Sequence, residues 1–309
     1  MRGFVTDPAG QAGLRLADDL PEPEPAAGEF LLEVRGYAIN PGEVGLIARR
    51  PNGWRPGQDV TGVVLRAAAD GSGPPVGSRV AAVVDWESWA ERVAVPSGWA
   101  AVLDDRVSFA QAAAIPCAGL AALRTLRYGG AVLGRDVLVT GATGGTGQFS
   151  VQLAVLSGAR VTALVSGPQR VDLARELGAH RVLTSLEDDT VGRFDLVLDG
   201  VAGPTVAQAA RRLKPEGTLV VYGGGTGSTV EPRDLYLNGV ANGRLILGFI
   251  GILPHETKGE DIAIVADLVA EGRVRPLIGW QEDWTRTPDA FDALAKRAIR
   301  GRAVLLREP

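Results

Sequence analysis

Two different hydrophobic patterns divide the chain. Between residues 30 and 96, short apolar segments alternate with turn residues such as Asp70-Gly71 and Gly73-Pro74-Pro75. Short apolar segments between such turn signals are typical of β-strands, so this part of the chain predicts a mostly β domain. The predicted strands are residues 31–34, 60–65, 80–84 and 91–95.

A helical pattern begins at Ser108 and continues to residue 128, after which apolar strands alternate with helices. Strands that alternate with helices form parallel sheets, so this half predicts an α/β fold with a doubly wound sheet. The predicted strands are residues 136–140, 160–165, 181–183, 194–199, 218–222 and 245–249, with helices at residues 147–157, 168–177 and 204–213. The remaining predictions are helices at residues 260–271 and 288–297 and a strand at residues 303–306.

Composition excludes several function classes. The 309 residues carry a net charge of −4 with no block of one sign, which disfavours nucleic acid and anionic membranes as partners. A single cysteine excludes an intramolecular disulfide, and two histidines leave little for a metal site. No apolar run approaches the roughly 18 residues of a membrane span, and the first ten residues do not resemble a signal peptide. We therefore predict a cytoplasmic protein with a small-molecule ligand.

A glycine-rich loop follows the predicted strand at residues 136–140. Ala142, Gly144 and Gly147 have the spacing of the dinucleotide fingerprint, with alanine at the position of the first glycine. Such a loop lets the backbone approach a pyrophosphate at the positive N-terminus of the next helix. A strand precedes the loop, and a helix and a second strand follow it, as the fingerprint requires. We therefore predict a dinucleotide-binding loop rather than a merely structural turn.

The end of the second predicted strand indicates which dinucleotide binds. An NAD-specific site carries an acidic residue there for the ribose 2′-hydroxyl, whereas this chain has Ser166 and Arg170. A hydroxyl and a guanidinium can bind a 2′-phosphate, and no carboxylate repels it. We predict NADPH. The alternative is that Arg170 is a solvated helix arginine near Asp172 and Glu176.

Motifs along nearly the whole chain carry a family resemblance. They are residues 38–43 (AINPGE), 56–62 (PGQDVTG), 76–80 (VGSRV), 89–91 (WAE), 114–119 (AIPCAG), 140–147 (TGATGGTG), 176–179 (ELGA), 195–199 (DLVLD), 213–217 (LKPEG) and 300–305 (RGRAVL). In order and spacing the chain resembles the zinc-independent quinone oxidoreductase and enoyl reductase branch of the medium-chain dehydrogenase/reductase (MDR) superfamily. The resemblance implies a GroES-like catalytic domain from residues 1–112 and 251–309, a Rossmann NADPH-binding domain from residues 113–250, and an active site in the cleft between them. It also implies a homodimer with residues 245–250 at a sheet edge.

The zinc-ligand positions of this family are altered. Zinc-dependent members use a Cys, a His and a second Cys, and the matching residues here are Asn40, Gln58 and Cys117. Because a catalytic zinc normally needs three protein ligands, we expect no metal and interpret Cys117 as a small buried residue.

The resemblance also implies the candidate site residues. Some enoyl reductases of the family use a tyrosine as proton donor where this chain has Trp54, and an indole cannot supply a proton usefully. The polar candidates for catalysis are Glu43 and Asn40. For Asn40, a structural role as a turn residue before Pro41 is an equal alternative. Trp54, Trp86 and Trp89 form a predicted aromatic wall for a planar substrate, with core packing as an equal alternative.

The predicted cofactor site combines the loop with positions that the resemblance implies. For Arg297, a position as a solvated surface residue is as plausible as cofactor binding. We expect Tyr222 to approach the cofactor by its backbone. The residues are Asn40, Ala142, Thr143, Gly144, Gly145, Thr146, Gly147, Ser166, Arg170, Gly200, Tyr222, Gly223, Phe249, Gly251 and Arg297.

The resemblance implies a zinc-free, NADPH-dependent reductase that transfers hydride to a quinone or an α,β-unsaturated carbonyl compound. A short-chain reductase needs Tyr-x3-Lys, and none of the four tyrosines has a lysine four residues later. The remaining alternative is a catalytically silent NADPH-binding protein with a structural or regulatory role.

Overall fold

The chain divides into two compact units. The computed structural model describes residues 1–224, 243–248 and 256–308. The first unit comprises Met1–Leu120 and Ile252–Pro309, and the second comprises Ala121–Gly251. The first unit boundary therefore lies later in the chain than the boundary expected after residue 112.

The strands of the described residues follow in chain order. They are β1 (Gly3–Thr6), β2 (Leu14–Ala17), β3 (Glu29–Ile39), β4 (Asp59–Arg66), β5 (Arg79–Val83), β6 (Arg92–Pro96), β7 (Ala100–Val102), β8 (Asp136–Thr140), β9 (Arg160–Leu164), β10 (Arg181–Leu183), β11 (Phe194–Asp199), β12 (Leu213–Val221), β13 (Arg244–Leu247), β14 (Ile278–Asp283) and β15 (Arg302–Leu306).

The α-helices of the same residues are mostly short. They are α1 (Pro41–Ile47), α2 (Phe109–Ala114), α3 (Pro116–Arg127), α4 (Gly147–Leu156), α5 (Val171–Glu176), α6 (Pro204–Ala210), α7 (Lys258–Ala270) and α8 (Thr287–Ala295). Where the chain is described, no helix is long and apolar enough to cross a membrane.

The first unit is built around a mostly antiparallel sheet in the order β14-β15-β3-β4-β5-β7, with β6 also paired to β3. Burial alternates along the first half of β3, where Phe30, Leu32 and Val34 are buried. The second half is buried throughout, and Ala38 in it packs with Ala113 and Ala114 of α2. This sheet agrees with the predicted mostly β domain, although β3 is longer than residues 31–34.

The core of the first unit is aromatic. Trp89 is 1% exposed and stacks on Tyr37, with the ring centroids 5.7 Å apart. Phe291 of α8 packs edge-on against the same indole at 6.2 Å. Residues from the C-terminal part of this unit, Ile252–Pro309, therefore complete the core of a sheet that is formed mainly by its N-terminal part.

The second unit is a parallel sheet in the order β10-β9-β8-β11-β12-β13. The strand order reverses between β8 and β11, which is the switch point where doubly wound sheets bind ligands. The predicted doubly wound α/β domain is confirmed. Predicted strands 136–140, 181–183 and 194–199 have their expected bounds. Of predicted strand 245–249, β13 covers residues 245–247; Gly248 follows the strand, and residue 249 lies outside the described residues.

Some elements differ from the sequence prediction. The helix expected at residues 168–177 is a 3-10 turn, Pro168–Arg170, followed by α5. Helix α1 lies where Pro41 suggests a turn, because proline is tolerated in the first turn of a helix. Strand β14 is not predicted, because its burial pattern is mostly exposed and its sequence is polar towards the end.

Candidate functional site

The glycine-rich loop leads from β8 into α4 with very little space for side chains. A Cβ added at Gly147 would lie 2.2 Å from the Gly141 carbonyl oxygen, so only glycine fits there. Ala142, at the position of the usual first glycine, is fully buried, and its N–H donates to the Leu164 carbonyl of β9 at 3.2 Å. The first N–H groups of a helix lack partners within the helix, so this geometry fits a pyrophosphate at the start of α4.

A hydrogen-bonded pair of side chains fixes the strand ends beneath this loop. Thr140 at the end of β8 lies opposite Asp199 at the end of β11. The Thr140 hydroxyl donates to Asp199 Oδ1 at 2.5 Å and accepts from the Gly200 N–H at 3.1 Å. The other carboxylate oxygen accepts from the Ala202 N–H at 2.8 Å. Burial raises the pKa of Asp199 although these hydrogen bonds oppose the shift.

The loop after β11 has an unusual backbone conformation. Ala202 and Gly203 have φ angles of 64° and 62°, a region that a non-glycine residue rarely adopts. The bond from the Ala202 N–H to Asp199 holds this turn. The sequence prediction missed Thr140 and Asp199 as site residues. A signal was present, because each is a polar residue ending an apolar strand at the same edge of a parallel sheet.

Three further predicted cofactor residues lie together at this edge. A Cβ at Gly200 would lie 2.8 Å from the Tyr222 hydroxyl oxygen, and a Cβ at Gly223 would lie 2.4 Å from the Gly200 carbonyl carbon. The Tyr222 hydroxyl is buried, and desolvation raises its pKa. It therefore packs inside the unit, which leaves the backbone of this segment for contact with a ligand.

The candidate 2′-phosphate residues lie at the end of β9. Ser166 is exposed and Arg170 is partly buried. Arg170 Nη1 donates to the Thr143 hydroxyl at 3.3 Å, which links the turn after β9 to the glycine-rich loop. The structure thus brings Arg170 and Thr143 together, and Ser166 lies exposed just after β9.

Asn40 belongs to a buried polar cluster in the first unit. Its Nδ2 donates to Asp59 Oδ2 at 3.0 Å, and its Oδ1 accepts from Arg302 Nη1 at 2.8 Å. Arg302 also forms an ion pair with Asp59, and the two side chains are 2% and 0% exposed. The Cys117 N–H donates to Asp59 Oδ1 at 2.6 Å. Asn40 is therefore held by tertiary contacts and is more than a turn residue before Pro41.

Glu43 is buried beside this cluster. Its Oε2 accepts from the Asn40 N–H at 2.7 Å, and within the described part of the chain its Oε1 has no hydrogen-bond partner. Burial raises the pKa of Glu43 to about 8, with the charge of Asp59 adding to the shift and hydrogen bonds and Arg302 opposing it. Glu43 is accordingly neutral at pH 7, which suits a side chain buried with one oxygen unpaired.

The residues at the zinc-ligand positions do not fit a metal. Asn40 is already bonded to Asp59 and the Arg302 guanidinium. Desolvation raises the pKa of the Cys117 thiol, and Asp59 raises it further, whereas the metal-binding form is the thiolate. Over residues 1–224, 243–248 and 256–308 no group of three His, Cys, Asp or Glu side chains could hold a metal ion.

The three predicted substrate-cleft tryptophans do not lie together. Trp54 and Trp86 are partly buried, with their rings 4.8 Å apart at an angle of 59°, and Arg50 lies 5.0 Å from the Trp54 ring. Trp89 instead lies in the core against Tyr37 and has almost no exposed surface. The aromatic wall is thus corrected to Trp54 and Trp86, and core packing applies to Trp89.

Three other predicted cofactor residues lie apart from the contacts described above or outside the described residues. Arg297 is exposed with a left-handed φ of 55°. Phe249 and Gly251 lie outside the described residues.

Comparison with known proteins establishes the family. The family model described as zinc-binding dehydrogenase matches residues 145–267. The mitochondrial NAD(P)H oxidoreductase RTN4IP1 of Mus musculus is 31% identical over 281 residues, covering 81% of this chain and 69% of the relative. The solved quinone oxidoreductase from Thermus thermophilus, also determined with NADPH, is 30% identical with a TM-score of 0.82, covering 99% of this chain and 100% of that chain. The chain is a medium-chain dehydrogenase/reductase of the quinone oxidoreductase branch.

This MDR protein is an oxidoreductase that binds a nicotinamide cofactor, and its predicted Rossmann and GroES-like fold is confirmed. An alcohol dehydrogenase of Geobacillus stearothermophilus is also 30% identical over 226 residues. That match covers 70% of this chain but only 63% of the relative, so the chain spans less than two thirds of it.

The Thr140–Asp199 pair yields a testable prediction. Replacing Thr140 with Val removes the hydroxyl that bonds both Asp199 and the Gly200 N–H, at a cost of about 1 to 3 kcal/mol. We expect the affinity for NADPH, measured by titration calorimetry, to fall by up to this free energy, or about 5- to 150-fold, as the loop after β11 loosens. Thr140→Ser retains the hydroxyl and should bind NADPH as the wild type does. An unchanged dissociation constant in Thr140→Val would show that the pair does not shape the cofactor site.

Glu43 yields a prediction about pH. The pKa of Glu43 is raised from 4.5 to about 8, so the folded state keeps a proton that the unfolded chain loses between these values. Stability should therefore fall as pH rises through this window, by up to about 1.4 kcal/mol per pH unit. The free energy of unfolding is measured in urea at pH 6 and pH 9. Glu43→Gln should remove its fall between these pH values, while the exposed control Glu24→Gln should retain it. Parallel pH profiles for wild type and Glu43→Gln would contradict the assignment.

Proposed function

We propose that this protein is a zinc-free reductase that uses NADPH to reduce a quinone or an α,β-unsaturated carbonyl compound. The observation that carries the proposal is the glycine-rich loop with Arg170 bonded to Thr143 beside it. The Arg170 guanidinium lies at the glycine-rich loop, and the exposed Ser166 occupies the sequence position where NAD-specific sites carry an acidic residue. The solved relative from Thermus thermophilus, determined with NADPH, supports the choice of cofactor.

The second unit holds the cofactor in this proposal. The loop from Gly144 to Gly147 admits the pyrophosphate to the N-terminus of α4, and Ser166 and Arg170 bind the 2′-phosphate. When bound, NADPH supplies a hydride for transfer to the acceptor. Thr140 and Asp199 keep the strand ends and their loops in register.

Asn40 is the side chain that we assign to the acceptor oxygen or the nicotinamide carboxamide. One Nδ2 hydrogen bonds to Asp59, and Oδ1 is used by Arg302, so the second Nδ2 hydrogen remains as a rigidly oriented donor. A donor that is already oriented stabilises developing charge on oxygen without reorganisation during the reaction.

Positioning supplies most of the catalysis in this proposal. Glu43 is neutral at pH 7 but buried, and the Cys117 thiol has a raised pKa, so neither is a suitable acid at the reacting oxygen. We therefore assign the final proton to water. Holding the nicotinamide and a planar acceptor face to face provides the proximity effect, and Trp54 and Trp86 provide the aromatic surface.

The alternative of a catalytically silent protein is not favoured, because the relatives reported above are named as dehydrogenases or oxidoreductases. The homodimer and cytoplasmic location stay predictions. For the homodimer, β13 is the last of the described strands at its end of the sheet, and its residue Leu247 is 64% exposed, which suits pairing with a second copy.

The proposed mechanism predicts which acceptors react. Quinones and enones should oxidise NADPH, followed by its absorbance, because they accept hydride without an acid on oxygen, whereas unconjugated ketones should not. Asn40→Ala should slow turnover by no more than about 100-fold, the low end for loss of one oxyanion donor. Efficient reduction of a simple ketone would contradict the substrate class. Complete loss of turnover in Asn40→Ala, with folding and NADPH binding intact, would contradict the positioning mechanism.

The cofactor assignment predicts a selective effect at Arg170. Arg170→Ala should weaken NADPH binding by about 1 to 3 kcal/mol through loss of a charged hydrogen bond. NADH has no 2′-phosphate, so its dissociation constant should change little. Binding of both nucleotides is measured by titration calorimetry, with Arg175→Ala on α5 as a matched control. Equal weakening of NADPH and NADH would place Arg170 outside the 2′-phosphate site.

A further inference from the structure

The guanidinium of Arg55 in the first unit is only partly paired. Its side chain is 15% exposed, and Nη1 lies 2.9 Å from Glu87 Oε2. Among the described residues neither Nε nor Nη2 has a hydrogen-bond partner, and both atoms are buried. A guanidinium presents its donors as a fork that matches both oxygens of a carboxylate. The single contact with Glu87 therefore leaves most of the binding capacity of Arg55 unused.

The backbone around Arg55 is held firmly. The Thr6 N–H donates to the Trp54 carbonyl at 2.8 Å, and the Trp54 N–H donates to the Thr6 hydroxyl at 2.9 Å. The Trp89 N–H donates to the Pro56 carbonyl at 3.3 Å. These bonds fix the segments before and after Arg55, so little ordering of the protein is needed for an anion to bind there.

Glu87 is a weakly held partner. Its side chain is 51% exposed, and its φ of 77° lies in the left-handed region that non-glycine residues rarely adopt. An exposed ion pair contributes little net stability, and such backbone strain is frequent at ligand sites. The Glu87 carboxylate can therefore be exchanged for another anion at modest cost.

The two segments that carry this ion pair also carry a pair of tryptophans. Trp54 directly precedes Arg55 in the chain, and Trp86 directly precedes Glu87. The two rings lie 4.8 Å apart and are partly buried, with the exposed Arg50 above both at 5.0 and 5.9 Å. A ligand with an anionic group and a planar conjugated part would match a cation and two indoles carried by the same two segments.

We propose that Arg55 is a specificity residue for acceptors that carry a carboxylate, and that Glu87 occupies its place until such an acceptor binds. The substrate class is then a conjugated oxo acid or a carboxylated quinone. Its carboxylate binds the Arg55 fork, and its conjugated part contacts Trp54 and Trp86. This inference rests on the proposed reductase function and extends it to the identity of the acceptor.

The test compares an acid with its neutral ester. NADPH oxidation is measured with 4-oxopent-2-enoic acid and its methyl ester, using wild type, Arg55→Gln, Glu87→Gln and the exposed control Arg49→Gln. Arg55→Gln should lower kcat/KM for the acid about 10- to 100-fold, mainly through KM, and leave the ester unchanged. Glu87→Gln should lower KM for the acid only. Arg49→Gln, which removes the same charge, should change neither substrate.

The outcomes separate this inference from the proposed function. Equal effects of Arg55→Gln on acid and ester, or no effect on either, would overturn the inference while the reductase activity stands. If neither compound is reduced, the enone part of the proposed acceptor class fails. Binding of the acid is then measured by quenching of tryptophan fluorescence. Quenching in wild type that is lost in Arg55→Gln would still support the anion site. Absence of quenching, or equal quenching in both proteins, would overturn it.

Discussion

The ion pair between Arg302 and Asp59 is the interaction on which the first unit depends. It joins β15, near the end of the chain, to β4, and both side chains are almost fully buried. Removing one partner of such a pair leaves an uncompensated buried charge, at a cost of about 3 to 5 kcal/mol. The same Arg302 and Asp59 also hold the Asn40 amide. One ion pair thus joins distant parts of the chain in a single sheet and orients the candidate donor, so stability and site geometry are coupled.

The second unit uses the Thr140–Asp199 hydrogen bond and close backbone packing for the same purpose. Gly147 allows the loop after β8 to approach its own carbonyl, and Gly223 allows the segment after β12 to approach Gly200. Glycine alone does not hold these loops in one conformation, because it is also the most flexible residue. The Thr140–Asp199 contact supplies the missing constraint by fixing the ends of neighbouring strands. The glycine-rich loops thus start from strand ends that are fixed in position, and these fixed ends shape the site that we propose for the dinucleotide.

Much of this fold could be predicted because its signals are local. Strands β8, β10 and β11 are apolar segments next to turn residues, and the Ser108–Gln111 capping box at α2 is contained in four residues. The pairing of Asp59 with Arg302 could not be predicted in this way, because 243 positions separate them. Thr140 and Asp199 each stand out as a polar residue that ends an apolar strand, but their contact with each other follows only from the register of two parallel strands. Local patterns likewise could not distinguish buried Trp89 from Trp54 and Trp86, since which face each ring occupies depends on Tyr37 and Phe291.

Two mostly buried arginines of the first unit show how burial separates scaffold from binding site. Arg302 pairs with Asp59, which is fully buried, so water and salt screen their attraction much less and the pair belongs to the scaffold. Arg55 pairs with Glu87, half of which is exposed, so their attraction is weakened by solvent and by the entropy of a mobile side chain. An incoming carboxylate could displace the exposed Glu87 from Arg55, but it could not displace the buried Asp59 from Arg302. The exposure of the partner, more than that of the arginine, therefore decides which cation is available to a ligand.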